Sequence, residues 1–135
     1  MVQLRSGGAP LLHHLSLPVS DLEASTRLYD AALAALGFER VWSTPDAVGY
    51  GPPGGGDKLA LKRRGSDVTA PSAGFHVAFA APDRKSVDAF WAAACAAGAT
   101  DNGPPGLRPH YGPSYYAAFV IDLDGFAIEA VFNGP

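Results

Sequence analysis

From Leu11 to Val19 the apolar residues Leu15, Leu17 and Val19 alternate with His14, Ser16 and Pro18, the period-two pattern of a strand with two unlike faces. The spacing then changes. Leu22, Leu28, Tyr29, Ala32, Leu33 and Leu36 recur at helical intervals before Gly37, and Ser20 with Glu23 three residues on reads as a capping box, so the pattern predicts a helix of about four turns. Short strands are predicted at 38–42 and 47–51 around Pro45-Asp46, with a third at 58–62 beyond the Pro52-Pro53-Gly54-Gly55-Gly56 turn. After a polar linker at 64–72 the order repeats. A strand is predicted at 75–81, a helix capped by Asp83 or Ser86 and carrying Val87, Phe90, Trp91, Ala94 and Cys95, and a weak strand at 99–102 before Gly103-Pro104-Pro105-Gly106. Strands at 115–122 and 126–132, turned at Leu123-Asp124-Gly125, close the second unit.

The two units are copies. His14-Leu-Ser-Leu-Pro-Val-Ser-Asp returns as His76-Val-Ala-Phe-Ala-Ala-Pro-Asp at an offset of 62, which carries Asp21 onto Asp83 and Tyr29 onto Trp91. An offset of 69 places Leu59-Ala60-Leu61 over Ile128-Glu129-Ala130 and Gly49-Tyr50 over Ala118-Phe119. Half of so short a chain buries too little surface to fold alone, so the repeat predicts one α+β domain spanning 1–135. It would contain two β-α-β-β-β units, about 11–63 and 74–133, forming a curved mixed sheet around a central cavity with helices on the outer face.

Composition narrows the partners. Hydrophobic residues make up 47% and charged residues 17% of the chain, which suits a packed globule. A net charge of −3 without a basic stripe excludes nucleic acid as the expected partner. Cys95 is the single cysteine, which leaves no intrachain disulfide and no thiolate metal site. No signal-peptide pattern or apolar run long enough to span a bilayer occurs, so a cytoplasmic protein that does not insert in membrane is expected.

Strand parity singles out three side chains. His14 stands opposite the Leu face of the first strand, His76 opposite the Phe/Val face of the fifth, and Glu129 between the apolar Ile128 and Ala130 of the last. Two imidazoles and a carboxylate form an open metal set that leaves coordination positions for substrate or water. A mid-strand glutamate is costly to bury unless it is paired or coordinated. The segment 107–114 is a long connection, and long connections inside compact domains are often functional. It holds Arg108, His110 and Tyr111, with Tyr115 and Tyr116 just after it. His110 suits a general acid or base, because a histidine pKa lies near working pH. His110 and Tyr116 are expected to move protons and Arg108, Tyr111 and Tyr115 to contact substrate, while parity leaves open which tyrosine faces the site.

The segments His14-Leu-Ser-Leu-Pro-Val-Ser-Asp-Leu-Glu, Leu36-Gly37-Phe38, His76-Val-Ala-Phe and Asp124-Gly125-Phe126-Ala127-Ile128-Glu129 together resemble the vicinal oxygen chelate superfamily, which includes glyoxalase I, bleomycin-resistance proteins and extradiol dioxygenases. The resemblance implies paired β-α-β-β-β units around a divalent ion (Fe, Mn, Ni or Zn), with ligand places at His14, Ala60, His76 and Glu129. It also implies a homodimer acting on a small molecule that chelates the metal through vicinal oxygens. Ala60 departs from the four-ligand pattern, since alanine neither binds a metal nor moves a proton, so a three-ligand centre is expected. The alternative implied by the same resemblance is a bleomycin-resistance-type protein that sequesters a ligand without catalysis.

Overall fold

A computed structural model describes residues 10–135. The first unit contains β1 (Leu15–Val19), α1 (Leu22–Ala34), β2 (Glu39–Thr44), β3 (Ala47–Gly51) and β4 (Leu59–Arg63). A single 3-10 turn at Gly65–Asp67 leads to the second, with β5 (Val77–Ala80), α2 (Arg84–Ala96), β6 (Thr100–Leu107), β7 (Tyr115–Ile121) and β8 (Ala127–Asn133). The strands form two four-stranded mixed sheets of identical plan, β1-β4-β3-β2 and β5-β8-β7-β6, each with its first strand parallel to its last. The fold is the α+β pair of repeated units that the sequence predicts.

The helices cover one face of each sheet and touch each other. α1 packs on β4 and β2, α2 on β6, β7 and β8, and the two helices meet along their length. One apolar cluster therefore runs through both units: Leu17, Leu28, Leu33 and Leu61 come from the first, Val87, Phe90, Val120 and Ile128 from the second. Polar ties cross the same boundary. The buried Tyr29 hydroxyl donates to Asp122 Oδ2 at 2.7 Å, and the Ser20 amide donates to Asp124, so the β7–β8 turn of the second unit is fastened to the first.

Two local expectations are corrected and one choice is narrowed. The α1 cap is Asp21, whose carboxylate accepts the Ala24 amide at 3.1 Å, whereas Glu23 reaches out to Arg63. In α2 the cap is the repeat-equivalent Asp83, and Ser86 lies inside the helix, donating to it. The weak strand at 99–102 is eight residues long and runs through Gly103-Pro104-Pro105-Gly106 with register irregularities instead of turning there. β6 lies at the outer edge of its sheet, where prolines remove no ladder hydrogen bond from a second neighbour.

The ladder register also refines the repeat. Ala60 pairs with Gly49, while Glu129 pairs with Phe119, so Gly49 corresponds to Phe119 and the offset of the third strands is 70, one more than the sequence alignment gave. The fourth strands keep 69: Ser16 pairs with Ala60 in one unit and Ala78 with Glu129 in the other.

Candidate functional site

Alternation along β7 and β8 sorts their side chains between two faces. Ala118, Val120, Ile128 and Ala130 enter the apolar cluster beneath α2, which leaves Phe119 and Glu129 on the face away from the helix. Glu129 is 1% exposed although it carries a carboxylate in mid-strand. Its Oε1 lies 3.2 Å from His76 Nε2, and its Oε2 accepts the Tyr115 hydroxyl at 2.5 Å. His76, just before β5, is half exposed and brings its ring over the buried carboxylate from the sheet edge. These groups line a cavity of about 340 Å³ walled by Phe75, Tyr111, Tyr115 and Phe119, with Asn102 at one side.

Burial pushes the Tyr115 phenol up to about 12, and the hydrogen bond to Glu129 adds to the shift because it favours the protonated phenol. Tyr115 is therefore neutral at ordinary pH and donates its proton to the carboxylate. Outside it stands a short aromatic series: the Tyr111 ring lies 5.2 Å from Tyr115, and His110 lies 4.1 Å from Tyr111. The turn that presents them is fixed by the Arg108 amide bonded to the Tyr115 carbonyl and the Tyr115 amide bonded to the Gly112 carbonyl.

The predicted residues divide accordingly. His76, Glu129, Tyr111 and Tyr115 come together at one cavity. His110 is exposed and packs on the Tyr111 ring, and it is not among the residues that line this cavity. The Arg108 guanidinium lies over the Phe119 ring, 5.2 Å from its centre, and donates to the Pro104 carbonyl. Tyr116 takes the other parity. Its ring joins the cluster beneath α2, its hydroxyl donates to Asp88 of that helix at 2.6 Å, and Arg84 stacks on it, so it is turned away from Glu129. His14 lines a different cavity, between β1 and β5, where its Nδ1 faces that of His13 at 2.9 Å. Among the described residues no three His, Cys, Asp or Glu side chains gather as a metal-holding group.

Sequence reasoning missed Phe75, Asn102 and Phe119. Phe119 was within reach, because it shares parity with Tyr115; the one-residue error in the β3/β7 alignment concealed that it faces Glu129. The sequence pattern puts Asn102 at a strand end and Phe75 on the helix face of its strand. β5 in fact starts at Val77, which frees the Phe75 ring to stack on Phe126 at 5.9 Å.

The sequence model of the Glyoxalase/Bleomycin resistance protein/Dioxygenase superfamily matches residues 11–130. The chain belongs to this superfamily. A glyoxalase/bleomycin resistance protein from Albidiferax ferrireducens is 32% identical over 90% of this chain and 98% of its own, with a TM-score of 0.77. A putative glyoxalase from Bacillus halodurans is 25% identical over 90% and 94%, with a TM-score of 0.64. A fosfomycin resistance protein from Listeria monocytogenes, 19% identical over 91% and 93% at a TM-score of 0.65, shares the fold. No protein of curated function matches the chain. Members of the superfamily bind small molecules and typically use divalent metals. No helix among the described residues is long and apolar enough to cross a membrane.

The donor chemistry suits such an ion in part. His76 and Glu129 supply an imidazole and a carboxylate within 3.2 Å of each other, whereas His14, the third expected donor, is not with them in a single chain.

Proposed function

We propose that the protein is a divalent-metal-dependent enzyme of the glyoxalase/dioxygenase type, acting on a small substrate that chelates through vicinal oxygens, with His14, His76 and Glu129 as metal donors. The observation that carries this reading is the isolation of the Glu129 carboxylate. It is buried, no lysine or arginine is paired with it among the described residues, and its polar neighbours are one phenol and one imidazole. An ionised carboxylate so placed costs several kcal/mol, roughly, unless a cation offsets it. A divalent ion held by His76 and Glu129 would do so.

His14 would reach this ion from a second copy of the chain. β1 and β5 are edge strands of their sheets, His14 and His76 immediately precede them, and an exposed strand edge favours pairing with another chain. The dimer would be a functional unit, with the partner subunit's His14 completing each site. Ala60, beside Ser16 and Gly49, offers no fourth donor, so positions stay open for substrate oxygens.

A bound divalent ion supplies Lewis acidity toward oxygen anions that develop on the substrate. The chain's own residues hold and surround the substrate. Phe75, Phe119, Tyr111 and Tyr115 exclude water from its flanks, and the Asn102 amide offers a donor and an acceptor at the wall. Arg108 braces Phe119 from behind. His110, exposed and packed on Tyr111, would exchange a proton with solvent. Tyr116 has no part in this arrangement.

Metal analysis of protein purified without chelator tests the proposal, together with thermal melting after adding Mn, Fe, Ni or Zn. A tightly bound ion at about 100 times its Kd stabilises by about 2.7 kcal/mol. The absence of any bound ion, with melting unchanged by all four, would sink the reading. Ligand binding that survives both EDTA and His76→Ala would point to sequestration in its place.

A further inference from the structure

We infer that Tyr115 is a positioning residue for the metal donor Glu129, holding its carboxylate to a single donor oxygen. The inference rests on the metal reading above. The long loop leading into Tyr115 pointed to a substrate contact, but its hydroxyl is committed elsewhere: it donates to Glu129 Oε2 at 2.5 Å, while His76 faces the opposite oxygen, Oε1. The two oxygens of one carboxylate are thus divided between two partners on different sides.

The division has a chemical consequence. A carboxylate free to turn about its last bond can present both oxygens to an ion and take two coordination positions. With Oε2 held by a phenol, only Oε1 is offered, and one position is saved for a substrate oxygen. A chelating substrate needs two adjacent open positions, so the clamp sets how many the site can provide. Tyr115 suits this role. Its hydroxyl is the hydrogen-bond donor to Oε2, on the side of the carboxylate away from His76. Its backbone is bonded at both ends of the 108–115 turn, and Tyr111 lies against its ring. Hydrogen bonds to a ligand's distal atom orient metal ligands and are commonly worth ten- to hundredfold in affinity.

Tyr115→Phe keeps the ring and removes only the hydroxyl. With Mn(II) as probe, we expect the Kd to rise about ten- to hundredfold. The water-proton relaxation enhancement of bound Mn(II) should fall, because a carboxylate turned to two-oxygen binding displaces a water. Loss of packing alone would leave the enhancement per bound ion unchanged. Tyr116→Phe, which removes the adjacent hydroxyl on the helix side, bonded to Asp88 and not to Glu129, should match wild type in both measurements. Wild-type affinity and enhancement in Tyr115→Phe would overturn the inference and leave the metal reading intact, as would an equal loss in Tyr116→Phe. A wild-type protein that binds none of Mn, Fe, Ni or Zn overturns the metal reading itself, and the inference falls with it. Circular dichroism of each variant without metal separates these results from misfolding, and Glu129→Gln, which keeps an acceptor for Tyr115, gives the affinity expected when the charged donor is lost.

Discussion

The bond between Tyr29 and Asp122 is the clearest place to measure what holds the two units together. Tyr29 is fully buried on α1 and donates to a carboxylate 93 residues away that is 6% exposed, so Tyr29→Phe removes a hydrogen bond and leaves the ring packing in place. A hydrogen bond to a charged buried acceptor is worth about 1.5–3 kcal/mol. Asp122 keeps two backbone donors, the amides of Asp124 and Phe126 at 2.9 Å, which argues for the middle of that range. With an unfolding entropy of about 2.1 cal/mol/K per residue over 135 residues, a loss of about 2 kcal/mol lowers Tm by about 7 °C. The loss should also depend on pH, and its sign follows from Asp122. Burial raises its pKa above the usual 3.8, against the lowering by Tyr29 and the backbone amides. A raised carboxylate pKa means that protonation favours the folded state: this stability is fully present below 3.8 and is lost as pH rises through the folded value. The Tyr29 hydroxyl favours the ionised form, so deleting it raises the folded pKa further and penalises the protein most at pH near 7. Melting of wild type and Tyr29→Phe at about pH 7 and about pH 3.5 should therefore show a gap that narrows in acid. A gap under about 2 °C at neutral pH, or one that is the same at both, would refute the assignment of this bond as a charge-assisted hydrogen bond between units.

Other outcomes follow from the same geometry. Tyr116→Phe should leave divalent-ion binding unchanged and cost under about 1 kcal/mol, because its Asp88 bond is exposed and on the helix side; an effect on Mn(II) affinity would contradict the face assignment. His76→Ala and Glu129→Gln should each abolish the rise in Tm on adding the ion, which melting curves with and without Mn(II) read directly. Phe90, fully buried beneath both units, should cost about 3–5 kcal/mol as Phe90→Ala, enough to show a partly unfolded protein in urea titration. Gly49→Ala sets a methyl into the Trp42 indole, and displacing that ring should cost about 1–3 kcal/mol and shift tryptophan emission to longer wavelength, with Trp91 as the unchanged contributor.

The repeat was legible because it is written in residues whose role is geometric. Asp21 and Asp83 cap their helices in the same way, and α1 and α2 have the same length at the same offset. Glu129 was legible for the opposite reason, since a carboxylate between apolar neighbours breaks the pattern around it. What sequence could not provide was the choice between Tyr115 and Tyr116. Adjacent tyrosines satisfy either parity, and only the register of Phe119 against Glu129 decides it. The separation of His14 from His76 was equally hidden: equal places in two repeats are equal relative to their own sheets, and the packing of α1 on α2 sets how the sheets stand to each other.

The asymmetry between the units lies deeper than one missing ligand. In the first, Trp42 on β2 pairs with Gly49 on β3, and the indole occupies the space that a side chain at Gly49 would fill. In the second, the pairing is inverted: Phe119 on β7 faces Gly103 on β6, where an added Cβ would come within 3.1 Å of the ring. Each unit thus places one aromatic ring at the same ladder position, supplied from opposite strands. The consequence differs at the neighbouring strand. Trp42 and Gly49 stand beside Ala60, so the first unit offers an apolar surface, whereas Phe119 stands beside Glu129 and walls its cavity. Restoring a carboxylate by Ala60→Glu would bury a charge at a position that is 2% exposed, with Ser16 and Gly49 as its ladder neighbours. Without an ion to pair with it, that change should destabilise the protein by several kcal/mol, roughly. If a completed dimer brings the metal within reach, added Mn(II) should recover more stability in Ala60→Glu than in wild type. Equal recovery in the two would mean that the first unit does not face the ion, and that the vacant ligand place in the repeat is a packing surface only.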